Sequence, residues 1–356
     1  MMATALAAGS LGVSAPAAAD GTLTLRGAYY KERSTRVIQP MMDAAFQVGD
    51  HGTATGHLLV DAITSASASS GAADTAFTER RYEGGGGYAH ELSWGLLRGN
   101  LRLSSEPDYT SVFAGAGAEL AFAEKNTVVA VSGGAGHDTI TNAGAQGPFS
   151  AQLEDTLSTV LGATSVSQLL SPNLVVSAGY DLSYLRGYQQ NPYRTVIVGS
   201  DLIAERHPET RTRHAVAATG KWYLPEASAT AIAGYRFYAD SWGVLAHTPE
   251  LRLVKILGED DDLEATVRYR FHWQRRADFV KREYRMTDEY LTDDEKLVSF
   301  TSHTLEAKLA LLGAVLGFSG TLGEARGELI LQYVDQNNRF GNAITAQAAL
   351  TLPFEY

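Results

Sequence analysis

The closing stretch, residues 343–356, constrains the fold most. Ile344, Ala346, Ala348, Leu350, Leu352, Phe354 and Tyr356 occupy every second position, with mostly polar neighbours between them. Period-two alternation describes a strand with one apolar face and one wet face. Residues 263–273 repeat the pattern more sharply. Leu263, Ala265, Val267, Tyr269, Phe271 and Trp273 share one face, and Glu264, Thr266, Arg268, Arg270 and His272 the other. The first face could not stand bare in water, and the second could not enter a dry core without a partner for every charge. Hydrocarbon on one side and a wet lumen on the other satisfies both, which is the situation of a strand in a membrane barrel. A closing strand of a soluble sandwich would explain the terminus alone but not the whole set. Ala229, Ala231, Ala233, Tyr235 and Phe237 alternate in the same way with Thr230, Arg236, Tyr238 and Asp240.

Composition agrees with this reading. The 356 residues are 45% hydrophobic, yet no apolar run approaches the roughly 20 residues of a membrane-crossing helix. A barrel needs only every second residue to be apolar, so it is allowed where a helical membrane protein is not. The 35 Gly, 17 Tyr and 12 Phe with no Cys suit an oxidising periplasmic route. The missing thiols also exclude thiolate catalysis, disulfides and Cys-ligated zinc or iron-sulfur centres. A formal net charge of -11 argues against nucleic acid as a partner. No cofactor and no metal is called for.

Residues 1–19 read as a secretory signal peptide, with small apolar residues over 3–13 and Ala17, Ala18 and Ala19 before Asp20. No Lys or Arg precedes the apolar part, and the first basic residue is Arg26, as in a leader trimmed by a late start. Residues 20–356 then form a single all-β domain, a transmembrane antiparallel up-and-down β-barrel. Strands are expected near 22–31, 36–48, 53–64, 75–94, 99–105, 110–122, 127–135, 151–168, 173–185, 211–223, 228–239, 243–256, 262–274, 298–312, 326–335 and 342–355. That makes about sixteen, with 14–18 allowed, and an even number suits a bacterial single-chain barrel. With both ends periplasmic, the short links at 49–52, 123–126, 224–228 and 257–262 fall inside and the long segments 136–150, 186–210 and 275–297 outside. The segment 312–325 is long for an inner turn and has room for two further strands. The run Gly84 to Gly87 reads as a kink or bulge within a strand.

Several motifs in fixed order carry a family resemblance. They are Glu106-Pro107-Asp108-Tyr109-Thr110-Ser111, Asn191-Pro192-Tyr193-Arg194, the run 205–213, the run 235–243, His247-Thr248-Pro249-Glu250, Arg268-Tyr269-Arg270-Phe271 and Arg276-Ala277-Asp278-Phe279. Together they resemble a bacterial family of outer-membrane barrels known only as domain-of-unknown-function 3570, over nearly all of residues 21–356. The resemblance implies a bacterial outer-membrane location and brings no catalytic or ligand residues with it. The closing Leu350, Leu352, Phe354 and Tyr356 resemble the address read by the barrel-insertion machinery, which with outer-membrane lipid and lipopolysaccharide would be a partner.

Two groups of side chains could carry function. Arg236, Tyr238 and Asp240 on one strand, and Arg268, Arg270 and His272 on another, project to the lumen by alternation, where a basic stripe would attract anions whatever the total charge. Arg194, Arg206, Arg211 and Arg213 with Glu205 and Glu209 lie in or beside the longest outer loop, where they either tie the loop to the wall or form a selective eyelet. The acidic residues Asp288, Glu289, Asp293, Asp294 and Glu295 read as a solvated charge run, with calcium as the rival. Ser299, Ser302 and His303 with nearby acids are the one hydrolase candidate, and no nucleophile elbow accompanies them. The resulting expectation is a passive pore or transport channel for small polar or anionic solutes, not an enzyme. The alternative is a non-conducting barrel that anchors a periplasmic or surface partner protein.

Overall fold

The computed structural model describes residues 20–65, 77–142, 153–258 and 262–355. The expected signal peptide and Tyr356 lie outside the described residues. The first part of the chain runs through β1 (Gly21–Lys31), β2 (Thr35–Val48), β3 (Gly52–Ser65), β4 (Phe77–Leu92), β5 (Gly95–Glu106), β6 (Tyr109–Phe122), β7 (Thr127–Thr141), β8 (Glu154–Ser171) and β9 (Leu174–Gly187). The short strands β10 (Thr195–Val198) and β11 (Asp201–Ala204) pair only with each other. The rest is β12 (Thr210–Leu224), β13 (Ala229–Asp240), β14 (Leu245–Leu257), β15 (Leu263–Arg275), β16 (Phe300–Leu312), β17 (Arg326–Gln336) and β18 (Ala343–Phe354).

Sixteen of these strands close into one antiparallel barrel, with β9 beside β12 and β18 returning to β1. Closure is what a strand assembly needs in hydrocarbon, where an unpaired backbone edge has no water to turn to. The expected fold and strand number are therefore those observed.

The outer wall follows the sequence alternation. Leu251, Leu253, Val267, Leu305, Leu329 and Leu331 are 50–63% exposed, in a belt no water-facing surface would tolerate. Exposed aromatics collect toward the two ends, with Tyr88, Trp94, Trp222 and Tyr223 near the rim that carries the termini and Trp273 and Tyr333 near the other. On the outward face Tyr180, Tyr235 and Tyr269 each share a hydrogen bond with an imidazole on the next strand, His214 (2.7 Å), His247 (2.5 Å) and His303 (2.7 Å).

Inward and outward positions can be told apart chemically. The chain has no cysteine, so Arg252→Cys and the adjacent Leu253→Cys each add a single thiol. A membrane-impermeant maleimide is expected to label the first and spare the second. The reverse pattern would mean that the register is wrong by one residue and that arginines face lipid, at roughly 2–4 kcal/mol each near the midplane.

Links on the terminal rim are short, with 49–51, 93–94, 123–126 and 172–173 between strands, whereas 142–153, 188–209 and 276–299 are long links on the other. Short turns mark the periplasmic side. The two-residue turn at 93–94 needs the glycine that follows it: Gly95 has φ +157°, and a Cβ there would collide with the carbonyl of Glu119. Two sequence expectations are corrected. Segment 312–325 holds no strands but a 3-10 turn at Gly313–Leu316 and the short helix α1 (Thr321–Glu324). Gly84 to Gly87 make no bulge, since β4 pairs in unbroken register with β3 and β5 through all four. The reason is space: a Cβ on Gly85 would lie 3.0 Å from the Leu101 carbonyl oxygen, and one on Gly87 2.8 Å from the Thr55 hydroxyl.

Candidate functional site in the barrel lumen

Inward-facing charges pair sideways, strand to strand. From β1 to β5 a chain runs from Arg26 to Asp43 (3.9 Å), to His57 (2.5 Å), to Glu83 (3.7 Å) and to Arg102 (3.2 Å). From β14 to β17 a second group links Arg252 to Glu250 (2.9 Å), Glu250 to Arg268 (3.5 Å) and Arg268 to Glu306. Below it Lys308 and Arg326 share Glu264 and Glu328 at 3.0–3.5 Å. Solvated pairs of this kind contribute about 0–1 kcal/mol each. Their larger effect is to fix rotamers and to leave the mid-lumen field nearly neutral. A cavity of about 330 Å³ lies against this wall, lined by Arg26, Arg252 and Lys308 and by Glu264, Glu306 and Glu328.

The candidate lumen residues separate into two kinds. Arg268 sits between two carboxylates, so its charge is largely spent locally. Asp240 has a structural role: its carboxylate accepts from Arg211 Nε (2.8 Å), the Tyr238 hydroxyl (2.7 Å) and the backbone N–H groups of Trp242 and Val244 (3.0 Å each). Arg236 lies over the Tyr238 ring at 5.5 Å, and His272 shares a hydrogen bond with the Thr248 hydroxyl (2.9 Å). Among the described residues neither Arg236, Arg270 nor Arg213 has a carboxylate within ion-pair distance. Among the described residues Glu79, Glu106 and Asp138, on β4, β5 and β7 across the lumen, likewise have no cation within ion-pair distance. The upper lumen therefore has a basic wall and an acidic wall.

The long outer loops form a cap. Arg206 and Leu291 exchange both backbone hydrogen bonds at 3.0 Å, joining loop 188–209 to loop 276–299. Beneath this bridge Val196, Val198 and Leu291 make an apolar core, and Trp242, Val244, Ala277, Val280 and Leu297 make a second. Glu205, with a fully buried carboxylate, accepts from the Thr292 hydroxyl (2.7 Å) and the Asp293 N–H (2.8 Å) and pairs with Arg194 (3.4 Å), which also meets Asp294 (3.2 Å). Arg339, between β17 and β18, pairs with Asp293 and Glu295. The acidic run 288–295 is thus largely tied to cations, with Asp288 on Lys281 (2.8 Å). Among the described residues no three His, Cys, Asp or Glu side chains are arranged to hold a metal.

Of the six loop candidates, Arg194 and Glu205 come together inside the cap. Arg211 anchors it on Asp240 and lies 4.1 Å from the Trp242 ring centre. Arg206 turns to the Asp288 carbonyl (2.8 Å), and Glu209 is exposed. They do not converge on one ring. The hydrolase candidates also diverge, because neighbours on a strand face opposite ways: His303 is outside with Tyr269, Ser302 is inside, and the Ser299 hydroxyl accepts the Arg276 N–H (2.8 Å).

Acid should loosen the cap. Burial holds His207 down at about 4, and its ring packs on Trp242 and Phe279 at 5.3 and 5.6 Å. A base with a lowered folded value stays neutral in the closed cap while the open form binds a proton, so stability falls as pH drops from about 6.5 toward 4. Asp294, held down by Arg194 against its burial, acts in the same direction below the usual carboxylate range, whereas Glu205, pushed up by burial, opposes it. Acrylamide quenching of Trp242, the tryptophan buried in the cap, is expected to rise over that window. A flat response would contradict this balance.

Residues 73–314 match the family model described as Protein of unknown function (DUF3570). The chain belongs to this family. No curated protein sequence matches it. Among solved structures it is similar to one described as a bacterial polysaccharide outer membrane secretin, at TM-score 0.56 and 6% identity over 94% of this chain and 98% of that one. It is also similar to a BenF-like porin from Pseudomonas fluorescens Pf-5, at TM-score 0.50 and 11% identity over 96% and 99% of the two chains. At these identities the likeness is one of fold. A closed sixteen-strand barrel with a lipid-facing belt, in this family, is a bacterial outer-membrane protein.

Proposed function

We propose that this barrel is a passive channel for small polar or anionic solutes, with the outer cap limiting access. The observation that carries the reading is the charged inner wall: charged side chains line the lumen from Arg26 to Glu328, and a cavity lies among them. A barrel of this strand number is wide enough for an aqueous path. Opposed basic and acidic walls orient a polar solute and retard an apolar one. The similarity to a porin fold agrees with this reading, and no pairing of Ser302 with His303 supports a membrane enzyme. The rival is a non-conducting anchor for a periplasmic or surface partner, favoured by the interlocked cap and by exposed Leu316, Phe318 and Leu322 on the inner rim. Planar bilayers separate the two. Discrete current steps from the purified, folded barrel are expected, and a folded barrel that inserts without current would leave the anchor.

A further inference from the structure

The lumen wall under the cap contains donors that the rest of the wall does not satisfy. Arg270 on β15 stands opposite Thr304 on β16, and both face inward. The Nε of Arg270 is buried without a hydrogen-bond partner, and so is the hydroxyl of Thr304, a residue 1% exposed. The nearest acids are engaged elsewhere, Glu250 with Arg252 and Arg268, and Glu306 with Arg268 and Gln332. Opposite Arg270 on its other side is Glu250, and two residues along β14 Thr248 stands opposite Arg236. Arg236 is exposed to the lumen and has no carboxylate partner among the described residues. Thr248 also holds the His272 ring in place.

A buried donor left unmatched costs about 1–3 kcal/mol, and more when charged. Two such donors on adjacent strands, turned to the same side and near a guanidinium that has no carboxylate partner among the described residues, match an acceptor with several oxygens and negative charge. The fork of Nε and Nη on arginine fits the paired oxygens of a carboxylate or phosphate, and a threonine hydroxyl serves one further oxygen. We propose that Arg270, Thr304 and Arg236 form an oxyanion-binding site in the lumen, which takes the carboxylate or phosphate group of a small solute. The inference rests on the channel reading in taking this part of the lumen as open to solutes. It goes further in assigning a bound stop on the path rather than a diffuse field.

The test is calorimetric titration of the folded barrel in detergent micelles with sodium phosphate and, separately, sodium succinate at low chloride. Folding of each variant is checked by heat-modifiable migration. Saturable binding is expected for at least one probe, weakening as chloride is raised. Arg270→Gln should weaken it about tenfold or more, because a charge-assisted contact is lost. The near-isosteric Thr304→Val, which keeps the packing, should weaken it several-fold, and Arg326→Gln, on the paired wall, should change it less than twofold. No saturable binding by the folded wild type, or wild-type affinity in both Arg270→Gln and Thr304→Val, overturns the site. Bilayer current measured alongside separates the two claims. Binding without current keeps the site and removes the channel, and current without binding does the opposite.

Discussion

Deletion of residues 350–356 is expected to leave the chain unable to fold, with no heat-modifiable band and no material in the outer membrane. These residues supply the β18 partners of Gly21 to Leu25 on one side and of Arg326 and Gly327 on the other. They also supply Thr351, whose hydroxyl meets that of Thr24 (2.9 Å), and Phe354, whose ring lies where a Cβ on Gly21 would be. Removing them opens two strand edges in hydrocarbon, where each unsatisfied backbone group costs several kcal/mol. The effect is all-or-none because a barrel cannot close on fifteen and a half strands. Phe354→Ala removes packing but keeps the ladder, so it should fold in detergent. If it folds in vitro yet never reaches the outer membrane in cells, the closing aromatic acts as an insertion address as well as a structural piece. Normal folded migration of the deleted chain would contradict the account.

Asp240→Ala should release the cap without dissolving the barrel. The Asp240 carboxylate is fully buried and gathers the guanidinium of Arg211, the Tyr238 hydroxyl and two backbone N–H groups. Arg211 is itself only 11% exposed. Taking away one partner of such a pair strands the other charge in a low dielectric, at roughly 3–5 kcal/mol. The loss falls on the turn at Trp242, against which Ala277 and Val280 pack. Trypsin should then cut at Lys281, Arg282 or Arg285 while the barrel strands stay protected. Asp240→Asn, which keeps acceptors for the N–H groups but not the charge, should fall between. An unchanged digestion pattern in Asp240→Ala would show that the cap is held by its apolar cores alone.

The barrel was legible because lipid and lumen impose period two on every strand, and the two faces of residues 263–273 admit only one register. What the sequence could not show were features set by strands distant along the chain. The hairpin of β10 and β11 is too short, at four residues a strand, to stand out within a loop. Strand β7 runs on to Thr141 past the expected end at 135, because backbone pairing with β8 continues through residues that lack strand character, such as Gly136, His137 and Asp138. Glycine at 84–87 weakens a strand only where side chains hold it, and here the neighbouring ladders do. The site was legible by alternation, which placed Arg236, Arg268 and Arg270 on one surface. Its electrostatics were not, since Arg268 is neutralised by Glu250 and Glu306, one 18 residues before it and the other 38 after. Glu264 is equally remote in sequence from its partner Arg326, and so are Asp293 and Glu295 from Arg339. No spacing rule reveals such pairs before the register is known.

Selectivity in planar bilayers decides whether the lumen is an open path for anions. In a low-salt gradient, where screening is weak, the reversal potential of the wild type should show anion preference, carried by the unpaired Arg236 and Arg270. The double substitution Arg236→Glu and Arg270→Glu should move it toward cations, while Arg268→Gln, on the paired wall, should move it much less. A folded barrel that carries no current, or whose reversal potential is the same with and without the two arginines, would contradict the account.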